Sequence, residues 1–177
     1  MSERKFETHF LMESIAFGLT DGIICFLGII VGVATATADS RLVLIAGIVG
    51  GVADALGNSI GFFVSQATER AVQIRDTEKG NNTYIHSRRE VSMSGIFSFL
   101  ATVVALVFLL SPFGFLGVWE ATTVSFIVGT ILAFTLGLYI GNLEGENIYK
   151  SGIKYTCITI LGAIVSYGIG VILHIYI

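Results

Sequence analysis

The chain has 177 residues and a formal net charge of −3; 54% of it is hydrophobic and only 13% charged, where a soluble domain carries about a quarter charged residues. With a mean hydropathy of +0.83 and 21 glycines against one proline, the composition excludes an ordinary soluble domain, and the apolar runs are too long for the ~10-residue strands of a membrane barrel. Ten basic residues, interleaved with Glu69, Asp76, Glu78 and Glu90, are too few for a nucleic-acid surface.

Five stretches are long enough to cross a bilayer, which takes about 20 apolar residues: 15–35, 42–66, 91–111, 118–141 and 153–175. The expected fold is an all-α integral membrane protein, one compact five-transmembrane-helix bundle over residues 1–177. The first stretch contains Gly18-Leu19-Thr20-Asp21-Gly22. A carboxylate at membrane depth costs at least ~2.5 kcal/mol and marks a functional position by default. The bland alternative makes Asp21 the N-cap of a helix starting at Gly22. That would leave a run at the lower limit of the spanning range.

The second stretch carries Asp54 and Asn58. At 1.5 Å per residue Asp21 lies ~9 Å, Asn58 ~12 Å and Asp54 ~18 Å below the boundary. Residues i and i+4 share a helix face, pairing Asp21 with Cys25 and Asp54 with Asn58. If spans one and two are neighbours, these side chains bring two carboxylates, an amide and a thiol to one ion pathway. Oxygen donors suit Mn²⁺ or Mg²⁺, and a softer donor shifts preference toward Fe²⁺. Asp54 read blandly is a protonated acid bonded to a neighbouring helix, and Cys25 a small buried apolar residue. Cys157, near the start of span five, is too far in depth to form a disulfide with Cys25.

Glycines crowd the acids. Gly18-xxx-Gly22, Gly28-xxx-Gly32 and Gly57-xxx-Gly61 are small-xxx-small seams that let helix backbones approach. They are expected to pack helices closely enough for the two aspartates to share an ion. Gly137, Gly141 and Gly145 form a similar series on span four.

Segment 67–90 starts as a continuation of the second helix, stops at Gly80-Asn81-Asn82 and re-enters the membrane after Ser87-Arg88-Arg89-Glu90. Its charges read as a solvated face or as a cation-gathering surface through Glu69, Asp76 and Glu78. Glu13, Glu69, Glu144 and Glu146 are the acids expected at the mouth. His9 and His86 are expected in solvent and His174 at the far interface. Trp119, Tyr139, Tyr155 and Tyr176 read as interfacial anchors.

Nine of the ten basic residues fall on one side: Arg4, Lys5, Arg70, Arg75, Lys79, Arg88, Arg89, Lys150 and Lys154, against Arg41 alone. The positive-inside rule then puts the N-terminus in the cytosol and the C-terminus outside or in a lumen.

The order of motifs resembles the vacuolar iron transporter family. The residues that carry it are Phe17-Gly18-Leu19-Thr20-Asp21-Gly22-Ile23, Gly28-Ile29-Ile30-Val31-Gly32-Val33-Ala34 and Leu44-Ile45-Ala46-Gly47-Ile48, followed by Ser59 to Glu69 and Gly137-Leu138-Tyr139-Ile140-Gly141. The resemblance implies a homodimer whose first helices line a central path, exporting Fe²⁺ or Mn²⁺ from the cytosol in exchange for protons. It also implies that Asp21 is the central ion-binding position and that no cofactor is bound permanently. Three departures stand out. Asp54 and Asn58 flank the place, about Gly57, where the family commonly has a methionine. Glu13 is out of register with the family's glutamates, and segment 67–90 is too short for the family's Glu-rich metal-binding domain.

Two rival readings are a membrane scaffold or subunit and an intramembrane aspartyl protease. The protease usually shows Gly-x-Gly-Asp, where this chain has Gly18-Leu19-Thr20-Asp21. The expectation is therefore a non-enzyme whose partners are lipid, divalent metal ions and protons. The short chain and the lack of a targeting peptide favour a prokaryotic cell membrane over a vacuolar one.

Overall fold

A computed structural model describes residues 3–81 and 84–176, with side chains from Leu11 onward. Arg4, Lys5 and His9 thus have side chains outside the described residues. Five helices follow one another: α1 Glu3–Thr37, α2 Ser40–Glu78, α3 Arg88–Leu110, α4 Val118–Glu144 and α5 Ile148–Tyr176, with a 3-10 turn Ser111–Gly114 after α3. All five are long and apolar enough to cross a membrane, and this is a multi-pass membrane protein.

Each helix boundary has a local cause. Asp39 caps α2, its side chain accepting from the Arg41 N–H at 2.7 Å. Ser87 and Glu90 form a reciprocal capping box at the start of α3. Gly145 ends α4 in the left-handed conformation at φ +70°, so the last glycine of the span-four series is a helix stop. Asp21 lies deep inside α1, which removes the N-cap alternative. At 39 residues α2 is about 58 Å long, nearly twice the ~30 Å hydrocarbon core. Its last turns therefore stand clear of the membrane.

The start of α1, the end of α2, the start of α3, the end of α4 and the start of α5 gather at one end of the bundle, called here the mouth end. The central helix is α1, which touches all four others and packs most extensively on α3 and α5. Its Ile23, Phe26, Leu27 and Ile30 form the core with Leu109 and Ala133. Outward, Val49, Ile60, Val107, Ile131 and Val165 are exposed, the arrangement a lipid-facing surface requires because lipid imposes no cost on exposed apolar groups. Hydroxyls bridge helices: Thr102 Oγ1 donates to the Gly18 carbonyl at 3.0 Å, and Ser125 Oγ to the Leu109 carbonyl at 2.7 Å.

The glycine seams find partners other than those expected. A Cβ on Gly18 would collide with the Ser98 carbonyl oxygen, and one on Gly22 would press on Ala105 of α3. Gly28 and Gly32 lie against Ser166 of α5. The α1 seams therefore hold α1 to α3 and α5, and leave its approach to α2 to other residues. Gly57 and Gly61 have no described atom within 4 Å of where their Cβ would be, so they pack no helix of this chain.

Candidate functional site: two aspartates below an acidic mouth

Two neighbouring helices place four polar side chains together. Asp21 and Cys25 lie one turn apart on α1, Asp54 and Asn58 one turn apart on α2, all partly buried. The Asn58 Nδ2 amide donates to Asp21 Oδ2 at 2.5 Å and approaches Asp54 Oδ2 at 3.4 Å. The Cys25 thiol and the Asp21 carboxylate both lie near enough to the Asp54 carboxylate to interact with it. Two adjacent carboxylates repel, and here one amide NH2 group offsets that by donating to both. A cation between the acids would reverse the requirement, because the amide must then present its oxygen. Among the described residues no three His, Cys, Asp or Glu side chains are arranged to hold a metal. One protomer thus offers the two carboxylates, with Asn58 and Cys25 beside them.

Toward the mouth end lies a cavity of about 560 Å³ with walls from α1, α2, α4 and α5 and from the connection into α3. Glu13, Phe17 and Thr20 of α1, Phe62 and Glu69 of α2, His86, Glu144 of α4 and Tyr155 of α5 line it. Phe17 and Phe62 stack at 4.9 Å between centroids, forming an apolar collar between the mouth acids and the aspartates, Asp21 one turn and Asp54 two turns further in. Three expected mouth acids, Glu13, Glu69 and Glu144, meet here; Glu146 does not line the cavity.

His86 corrects the expectation that it is solvated. The connection after Gly80, whose φ is +92°, folds back so that His86 rests against α2. Its main-chain N–H donates to Gln73 Oε1 at 2.9 Å, and its carbonyl accepts from Arg70 Nε at 2.8 Å. On the same face of α2, Gln73 Nε2 donates to Glu69 Oε1 at 3.1 Å. Tyr155, read as an interfacial anchor, is turned into the cavity wall instead.

Toward the far end a second cavity, about 540 Å³, runs between α1 and α5 past Cys25, Gly28, Gly32, Gly162, Ser166 and Gly170. It holds no carboxylate. His174 contacts the Ala36 carbonyl at 2.9 Å, linking the far ends of α5 and α1. Cys25 and Cys157 are both free thiols.

The model of the VIT family matches residues 12–92, the stretch that bears every acid of this site but Glu144. An uncharacterized protein of Methanocaldococcus jannaschii is 29% identical over 77% of this chain and 76% of its own. Vacuolar iron transporter homolog 1 of Oryza sativa subsp. japonica is 26% identical over 89% of this chain and 72% of its own. VIT-like transporter 1a of Glycine max is 28% identical over 46% of this chain and 40% of its own. The family match falls on the two helices that build the site, with relatives named as transporters aligned beside it, and over this stretch the chain is similar to the VIT, or vacuolar iron transporter, family.

Proposed function

We propose that the protein exports Fe²⁺, Mn²⁺ or both from the cytosol in exchange for protons, through Asp21 and Asp54. The observation that carries this reading is the Asn58-bridged pair of aspartates below an acid-lined cavity. The rice relative, named a vacuolar iron transporter homolog, lends iron transport as the activity. Glu13, Glu69 and Glu144 draw hydrated cations to the mouth by their summed charge. The cation then sheds part of its water past Phe17 and Phe62 and enters between the two carboxylates, which its charge keeps ionised. Asn58 rotates its amide oxygen inward, and the Cys25 sulfur is the softer neighbour that favours iron over magnesium. When the site opens to the far side, protonation of the acids weakens it and the metal leaves. The bound protons return to the cytosol as the cycle closes.

The orientation that goes with this reading places the mouth end in the cytosol, supported by the one-sided distribution of basic residues. A homodimer is part of it. The Asp21 face of α1 stays partly exposed, and Gly57 and Gly61 offer a second copy a surface of small residues. The archaeal relative, which aligns over most of both chains, supports a prokaryotic cell membrane.

Purified protein in vesicles tests the assignment. Asp21→Asn should reduce Fe²⁺ and Mn²⁺ flux to the protein-free background, and metal should raise the thermal stability of the wild type but not of the variant. Undiminished, pH-dependent flux through Asp21→Asn would overturn the assignment. A scaffold would show neither flux nor stabilisation by metal.

A further inference from the structure

The side-chain contact between Gln73 and His86 depends on the protonation of the imidazole. Gln73 is buried, and its Oε1 is taken by the His86 main-chain N–H. The amide's NH2 end therefore faces both Glu69 Oε1 at 3.1 Å and His86 Nδ1 at 3.3 Å. Two donors cannot bond one another, so the Gln73 contact can form only with a ring whose Nδ1 carries no proton. The same imidazole lines the mouth cavity with Glu13, Glu69 and Glu144.

We propose that His86 is a proton-sensitive closure of the mouth. As the neutral ring it is tethered to α2 through Gln73 and leaves the carboxylates free to attract cations. When protonated it can no longer accept from Gln73, and its imidazolium turns to Glu13 and Glu69, cancels their charge and slows cation entry. The charged and titratable groups facing it all enter this balance. They are Glu13 of α1, Glu69 and Arg70 of α2, Tyr84 of the connection, Glu90 of α3, Glu144 of α4 and Tyr155 of α5. Four of them are carboxylates, which attract an imidazolium, whereas Arg70 and the Gln73 bond oppose it. The closure protects against a specific failure: export by proton exchange draws protons into the cytosol, and a histidine at the cytosolic mouth senses that load in the range where its charge changes.

The proposal rests on the transport reading, and its test has one arm that does not. Metal flux is measured while the pH on both sides is lowered together from about 8 to about 5, so that the exchange gradient is constant across the interval histidine spans. Wild-type flux should fall several-fold, and His86→Gln should fall less. Gln73→Met should move the fall to higher pH, because the lost bond stabilised only the neutral ring. An unchanged profile in His86→Gln, or no upward shift in Gln73→Met, overturns the closure. In the second arm, nitrogen NMR of labelled protein in detergent micelles reads the ring directly; only three histidines contribute, and the signal missing in His86→Gln is His86. A bare Nδ1 at pH about 8 that gains a proton on acidification supports the proposal, and a protonated Nδ1 at pH about 8 overturns it. Wild type that carries no metal at any pH overturns the transport reading, and the NMR result still decides the tether.

Discussion

Gly18-xxx-Gly22 on α1 and Gly57-xxx-Gly61 on α2 share one sequence signature and meet opposite fates. Gly18 is pressed against the Ser98 backbone and Gly22 against α3, with no room for a side chain. Gly57 and Gly61 face open space. The difference lies in what stands across the helix. The central helix, α1, packs against all four others, and α2 runs along the edge with one face uncovered. Small-residue spacing therefore identifies a helix able to approach another closely, without identifying which helix. The contrast bears on the site because the two aspartates come one from each helix. Asp21 is carried by the immobilised partner, Asp54 and Asn58 by the one with a free face.

The largest effect expected from testing that contrast is at Asp54. Asp54→Asn should cut metal flux at least tenfold, near the level of Asp21→Asn, because one carboxylate cannot balance a divalent charge in a low-dielectric site. Flux near wild type would show that α2 contributes no charge to the pathway and would leave Asp21 alone. Next comes Gly18→Ala. Its added methyl meets main chain, so helices must shift, and the expected loss is ~1–3 kcal/mol, read as a lower unfolding temperature in detergent. An unchanged temperature would mean that α1 is not packed as described. A smaller effect is expected at the mouth. Glu13→Gln with Glu69→Gln should slow flux a few-fold at low ionic strength and match the wild type at high salt, since exposed charges act at long range and are screened. A salt-independent loss would make them binding groups and not attractors.

Much of this architecture was legible in the chain. Hydropathy reported five helices because an apolar run of that length has few other fates, and a carboxylate in such a run is costly enough to be conspicuous. The i, i+4 spacing paired Asp21 with Cys25 and Asp54 with Asn58, and the short Ala38-Asp39 turn made α1 and α2 neighbours. Helix rotation was not legible. These helices are apolar all round, so no polar stripe identifies the face each one buries. For that reason the α1 glycines were read as facing α2 when they face α3 and α5. His86 was missed for a different reason: its place depends on where the connection turns at Gly80 and on a buried Gln73, and loop geometry of that kind leaves no periodicity.

The smallest effect expected is the most discriminating. Gly57→Ala and Gly61→Ala add methyl groups that touch nothing within the protomer. An alanine loses less backbone freedom than a glycine when a helix forms, so each change should leave the monomer's unfolding temperature unaltered or raise it, by up to ~1 kcal/mol in stability. If a second copy seats its own helix against this face, the same methyls hold the two backbones apart. Self-association measured by sedimentation in detergent should then weaken while the monomer stays intact. A monomer destabilised as much as by Gly18→Ala would mean that the α2 face is already filled by this chain. Unaltered stability with weakened association would make the open side of α2, alongside the Asp54 and Asn58 it carries, the surface on which two copies meet.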